Sequence, residues 1–150
     1  MAEKNYEVEV VINGPQEKVF DIVTTIGHWM DWLSIARAVA GVTERPIQLG
    51  EPIYEFIRTP TGPQEVVWHI TEHDRPRRMK LEVEDGTSIT YHFIPQGDDT
   101  IFRRVFVLGS MWGAQQPLPY TIDNSRAENA KVKAMVENIL WREQKGDNLA

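Results

Sequence analysis

The chain has 150 residues, 41% of them hydrophobic and 25% charged, with no cysteine and a formal charge of −6. That length suits one domain, 1–150, with a core large enough to enclose a pocket. The missing cysteines exclude disulfides, thiolate chemistry and cysteine-ligated zinc, and the acidic balance argues against a sequence-independent hold on nucleic acid.

Tyr6–Ile12 alternates, with Val8, Val10 and Ile12 on one side and Glu7 and Glu9 on the other, which predicts a half-buried strand. Asn13-Gly14 turns the chain. Pro15 stands in the first turn of a helix, where its missing N–H costs nothing. Val19, Phe20, Val23 and Ile26 give that helix one apolar face, and Gly27 is expected to stop it. Trp29, Met30 and Trp32 then crowd a second, short helix. A short strand is expected over Ala40–Thr43 and a better one over Ile53–Arg58, which ends at the turn-rich T-P-T-G-P. Glu65–Thr71 places Val66, Trp68 and Ile70 on one face. Met79–Val83 alternates after the Arg75-Pro76 turn, and Asp85-Gly86 marks a tight turn. Ser88–Ile94 and Thr100–Leu108 form the last hairpin. The basic run Arg75-Pro76-Arg77-Arg78 is flanked by acidic residues and reads as a solvated turn and strand face.

A long helix closes the chain, starting at a capping box Ser125-x-x-Glu128 or a few residues earlier near Asp123, and running to about Glu143. Val132, Met135, Val136, Ile139 and Leu140 form its apolar stripe. Followed toward the N-terminus, the stripe turns polar through Asn129 or Glu128 and then Ser125. Either those turns overhang into solvent, or they cover a cavity rather than a solid core.

The succession strand, two helices, antiparallel meander, long helix describes a curved sheet wrapped around one helix. Together with I-N-G-P-Q-E-K-V-F-D-I-V, the pair Trp29 and Trp32, and E-H-D-R-P-R-R-M before the fifth strand, it resembles the START/plant-allergen superfamily. That superfamily, also called SRPBCC, has the α+β helix-grip fold, and the polyketide cyclase/dehydrase and lipid-transport branch looks most similar. The likeness runs from Tyr6 to Trp141. Such families include carriers, cyclases, lyases and chaperone regulators, and the fold does not choose among them.

The resemblance implies a cavity between the concave sheet face, the two short helices and the long helix. Strand alternation nominates Tyr54 and Phe56, Trp68, Leu81, Tyr91 and Phe93 to line it, with Ser125, Asn129 and Val132 from the long helix. Trp29 and Trp32 would close one end. On the seventh strand either Phe102, Arg104, Phe106 and Leu108 or the alternate residues point inward. The first set carries more bulk, adds Phe106 to the lining and makes Arg104 need a partner, for which Glu55 or Glu72 could serve. The apolar loop Gly109–Pro119, with Trp112, reads as a lid or a dimer contact. The aromatics could equally fill a core.

Catalytic candidates are His28, Tyr54, Tyr91 and Arg104. His28 stands nearest the expected pocket, although a surface or capping role is the commoner fate of such a histidine. Asp31 could accept an indole N–H. His69 and His73 lie four apart on a strand, which is no metal motif, and no cofactor motif occurs. The expected partner is a small hydrophobic aromatic, polyketide or lipid-like molecule, with no nucleic acid and no membrane insertion. The expected compartment is the cytoplasm. A carrier is one expected function, a cyclase or dehydratase the alternative, and a chaperone regulator a third. Two ionisable groups converging inward would favour the enzyme; isolated hydroxyls and an amide would favour the carrier.

Overall fold

A computed structural model describes residues 5–59, 62–110 and 121–146. The alternation read from the sequence builds β1 (Asn5–Ile12), which buries Tyr6, Val8 and Ile12. Helix α1 (Gln16–Val23) follows, with Pro15 at its N-cap and Val19, Phe20 and Val23 buried. A single 3-10 turn (Ile26–His28) leads into α2 (Trp29–Trp32). Six strands succeed it: β2 (Ala36–Gly41), β3 (Pro52–Thr59), β4 (Gly62–Asp74), β5 (Arg78–Glu82), β6 (Ser88–Gln96) and β7 (Asp99–Val107). The long helix α3 (Ile122–Gln144) comes last.

The strands form one antiparallel sheet in the order β1-β7-β6-β5-β4-β3-β2, curved around α3 in a helix-grip fold. β1 pairs with β7 through its whole length, Asn5 opposite Val107 and Ile12 opposite Thr100. Only that pairing lets the first and last strands neighbour each other, and it sets α3 against β1 and α2. The core lies on the concave face, where Trp68, Leu81, Tyr91, Phe93, Phe102 and Phe106 are all at most 1% exposed.

Several expectations are corrected. Helix α1 stops before Gly27: Thr24 caps it, its hydroxyl and N–H both bonded to the Phe20 carbonyl at 2.8 and 3.0 Å, and Thr25 is already extended at φ −82° and ψ 102°. Gly27 instead permits a close approach: its N–H bonds the Thr43 carbonyl at 3.2 Å, and a Cβ there would stand 2.4 Å from that oxygen. β2 begins at Ala36 rather than Ala40, with a register shift between Ala36 and Ala38. Helix α3 is capped by the Thr121 hydroxyl, which accepts from the Asn124 N–H at 3.2 Å. Ser125 and Glu128 lie inside the helix and form no capping box. The basic turn reads as expected, each guanidinium being ion-paired: Arg75 with Asp21, Arg77 with Asp74 and Arg78 with Glu72.

Candidate functional site

Strand parity decides what faces the interior. On β3 the buried residues are Ile53, Glu55, Ile57 and Thr59, whereas Tyr54 and Phe56 are 40% and 45% exposed. Both aromatics therefore stand on the convex face, and neither lines the interior; Tyr54 is also withdrawn as a catalytic candidate. Tyr54 sits opposite Val67, between Glu65 and His69 on the outward parity of β4. The signal was present, since β-branched Ile53 and Ile57 share the parity of Glu55, but the bulkier pair of aromatics outweighed it. The other strands follow expectation. Trp68, Leu81, Tyr91 and Phe93 face inward, and so do Arg104 and Phe106 on β7.

Beneath α1 and α2 the rings pack on one another. Phe20 meets Phe93 edge-on at 4.9 Å, Phe93 stacks on Phe102 at 5.2 Å, and Trp32 reaches Tyr91 and Phe102, each at 6.2 Å. This end is a core. Trp29 is buried beside them, and Val132 faces them from α3 with no exposed surface.

Under the first turns of α3 the interior becomes polar. Arg104 donates through Nε to Asn129 Oδ1 (3.0 Å), through Nη1 to Glu128 Oε1 (3.1 Å) and through Nη2 to the Ser125 carbonyl (2.8 Å). Its guanidinium lies 5.1 Å from the ring centres of both Trp32 and Phe106. Glu128 Oε2 accepts from the backbone and hydroxyl of Ser34, each at 2.8 Å. Tyr6, stacked on Phe106, shares a 2.9 Å hydrogen bond with the Ser125 hydroxyl. Burial pushes the Tyr6 phenol up to about 12, partly opposed by that hydrogen bond. The polar turns of α3 thus do not overhang into solvent: Ser125, Glu128 and Asn129 are at most 2% exposed. The partner of Arg104 is Glu128. Glu55 and Glu72, the acids nominated from the sequence, bond elsewhere, Glu55 to Trp68 and Glu72 to Arg78. A buried ion pair with this many supporting hydrogen bonds is a structural tie, and it occupies Arg104.

Three of the nominated residues keep unspent hydrogen-bonding capacity. The indole N–H of Trp29, the indole N–H of Trp32 and the Asn129 Nδ2 amide are buried with no hydrogen-bond partner among the described residues. Tyr91 is buried, and desolvation raises its phenol well above the ordinary range. Glu55 accepts one hydrogen bond, from Trp68 Nε1 at 2.9 Å. Burial raises its carboxyl to about 7, the Trp68 bond opposes this, and the negative Glu128 adds to it.

The remaining candidates fall away from this cluster. His28 is half-exposed at the rim, its Nδ1 4.0 Å from Asp31 Oδ2. Asp31 is exposed and accepts no indole N–H, since both neighbouring indoles lack partners. Trp112 lies outside the described residues. No cluster of three or more His, Asp or Glu among the described residues is placed to hold a metal ion. Open clefts occur elsewhere on the surface of the described residues. One, of about 550 Å³, runs along Asn13–Glu17, Pro95, Gly97–Asp99 and Gln144. Two smaller ones lie beside Leu140 and over Val67. None of the three is lined by Trp68, Tyr91 or Asn129. We place the candidate site in the interior, because unsatisfied buried donors demand a partner and an open cleft does not.

A seven-stranded antiparallel sheet gripping one long helix defines the helix-grip class of proteins. The chain belongs to the polyketide cyclase/dehydrase and lipid transport family, whose model matches residues 4–137. It is similar in fold to the ZhuI aromatase/cyclase of Streptomyces sp. R1128, with 13% identity, coverage of 91% of this chain and 94% of that one, and a TM-score of 0.68. It is also similar to norcoclaurine synthase of Thalictrum flavum, whose structure holds dopamine and hydroxybenzaldehyde (15% identity, coverage of 90% and 87%, TM-score 0.63). A third likeness is to major latex-like protein 151 of Panax ginseng (10% identity, coverage of 87% and 95%, TM-score 0.65). These identities show the fold alone. No curated protein sequence matches the chain. No helix among the described residues is long and apolar enough to cross a membrane.

Proposed function

We propose that the chain binds a small, mainly apolar molecule carrying carbonyl-type oxygens, held between β3–β4, Tyr91 and the first turns of α3. One observation carries this reading. Three of the residues nominated from the sequence hold buried donors without partners among the described residues, the indole N–H groups of Trp29 and Trp32 and the Asn129 amide; His73 Nε2 and Arg78 Nε are also buried without one. Each would cost about 1–3 kcal/mol if left dry. A molecule that fits here brings acceptors and apolar surface, which is the usual make-up of a small-molecule site. Family membership supports the same class of partner.

Arg104 and Glu128 converge inward but consume one another, and this favours a carrier over an enzyme. Cyclase or dehydratase chemistry is the second reading, supported by Glu55 and Tyr91, which are both ionisable and uncommitted to an ion pair. Native mass spectrometry of the protein purified from its own host tests the first reading. A co-purifying organic molecule is expected. An empty protein, combined with indole and Asn129 amide NMR signals that do not move across a panel of aromatic ketones, would overturn it.

A further inference from the structure

Glu55 is a carboxyl group in an unusual position. It is 1% exposed on the concave face, between Ile53 and Ile57 of the same strand. Its cross-strand neighbours are Val39 on β2 and Val66 on β4, neither of them polar. Its one hydrogen bond comes from Trp68 Nε1 on β4. Of the charged groups facing it, Glu128 on α3 has the same sign and is already engaged by Arg104 of β7. Tyr91 on β6 senses the Glu55 charge and offers no cation. Among the described residues, none brings Glu55 a positive charge. An ionised carboxylate held so would lack a counter-ion, and a neutral carboxylic acid is the form this environment favours.

A neutral acid has one O–H to donate. Glu55 senses the charge of Glu128 on α3, whose neighbour Asn129 carries an amide donor without an acceptor. Resting on the ligand-binding reading above, we propose that Glu55 in its protonated form donates a hydrogen bond from its O–H to an oxygen of the bound molecule. Ligand affinity is thereby tied to protonation of this carboxyl. The site accordingly selects neutral acceptors such as ketones, esters and amides. A carboxylate ligand would compete with Glu55 for the proton. Ionisation of Glu55 replaces the donor with a negative charge that repels the ligand oxygen.

The neutral fluorescent naphthyl ketone prodan tests this, because its emission reports both burial and hydrogen bonding at its carbonyl. Titrated into the wild-type protein, it is expected to lose affinity by about tenfold per pH unit above pH 7, following the ionisation of Glu55. Glu55→Gln, whose amide N–H mimics the neutral acid, should bind with a flat pH profile and with affinity near that of wild type at low pH. A carbon-13 titration of the Glu55 carboxyl in the wild-type protein, with and without prodan, gives a readout independent of any variant. Bound ketone should move that titration to higher pH. Binding with no pH dependence, or an unchanged slope in Glu55→Gln, overturns the role of Glu55 while leaving the ligand reading intact. Failure of prodan to bind at any pH counts against the ligand reading and removes this inference with it.

Discussion

At the scale of single residues, Glu55 and Arg104 show opposite ways of burying charge. Arg104 is matched by a carboxylate, a side-chain amide and a carbonyl, and its guanidinium faces two aromatic rings. Replacing it by methionine should cost about 3–5 kcal/mol, because Glu128 would then be buried without its cation. Urea denaturation measures that loss, and pairing the change with Glu128→Leu should recover much of it. Glu55 has no such match, so its effect on stability has a sign that depends on pH. Its carboxyl titrates near 4.5 when unfolded and at about 7 when folded. Below the first value both states are protonated and nothing is lost. As pH rises through the interval the unfolded chain releases its proton first, so stability falls and then levels off above about 7. The displacement corresponds to about 3 kcal/mol. Glu55→Gln should therefore be more stabilising at pH 8 than at pH 4 by an amount of that order, read from denaturation curves at the two pH values.

At the scale of elements, most of the order along the chain is legible in the sequence, and each discrepancy has a local cause. Period-two alternation placed β1, β4, β5, β6 and β7 within a few residues of their bounds. It placed β3 equally well but not its inward face, since tyrosine and phenylalanine occupy the solvent side of that strand and a glutamate occupies the core side. Bulk is a poor guide to parity when the buried face carries a charge. The first turns of α3 misled for a related reason: Ser125 and Glu128 have the spacing of a cap, yet they serve Tyr6 and Arg104 from within the helix. That use depends on tertiary partners more than 20 residues away in sequence, which no local pattern reveals. Gly27 has the look of a helix stop but is fixed by the Thr43 carbonyl. Gly27→Ala should cost on the order of 1–3 kcal/mol, because backbone must shift to admit the methyl group. Gly14→Ala meets the Leu140 side chain instead, which can rotate, and its loss should be smaller. Thermal unfolding of the two variants side by side checks that ranking.

For the molecule as a whole, the sheet separates two chemistries. Its convex face carries Tyr54 and Phe56 in contact with solvent; its concave face carries the lone acid Glu55, while the donors stand on α2 and α3. Substituting threonine for both Tyr54 and Phe56 should change stability by about 0.5 kcal/mol or less per site and leave ketone binding unaltered. A binding loss in that variant, measured by the same fluorescence titration, would return these aromatics to the site. The candidate site itself was only partly legible. Its apolar members follow largely from alternation, and Glu55 and Glu128 were both within view of the sequence, but that Glu128 rather than Glu55 pairs with Arg104 is fixed only by register and helix rotation.

The tie centred on Arg104 also has a consequence for motion. It fastens the N-terminal half of α3 to β1 through Tyr6, to β7 through Arg104, and to the segment between α2 and β2 through Ser34. The C-terminal half has no buried ion pair among the described residues; buried Val136 and Leu140, the Asn13 N–H on Glu137 Oε2 at 2.8 Å and the exposed pair Lys18–Glu143 hold it. Opening should therefore begin at that far end, with amides beyond Glu137 exchanging with solvent hydrogen well before those of residues 128–132. The helix would loosen like a strap buckled at one end, with the buckle closest to the site.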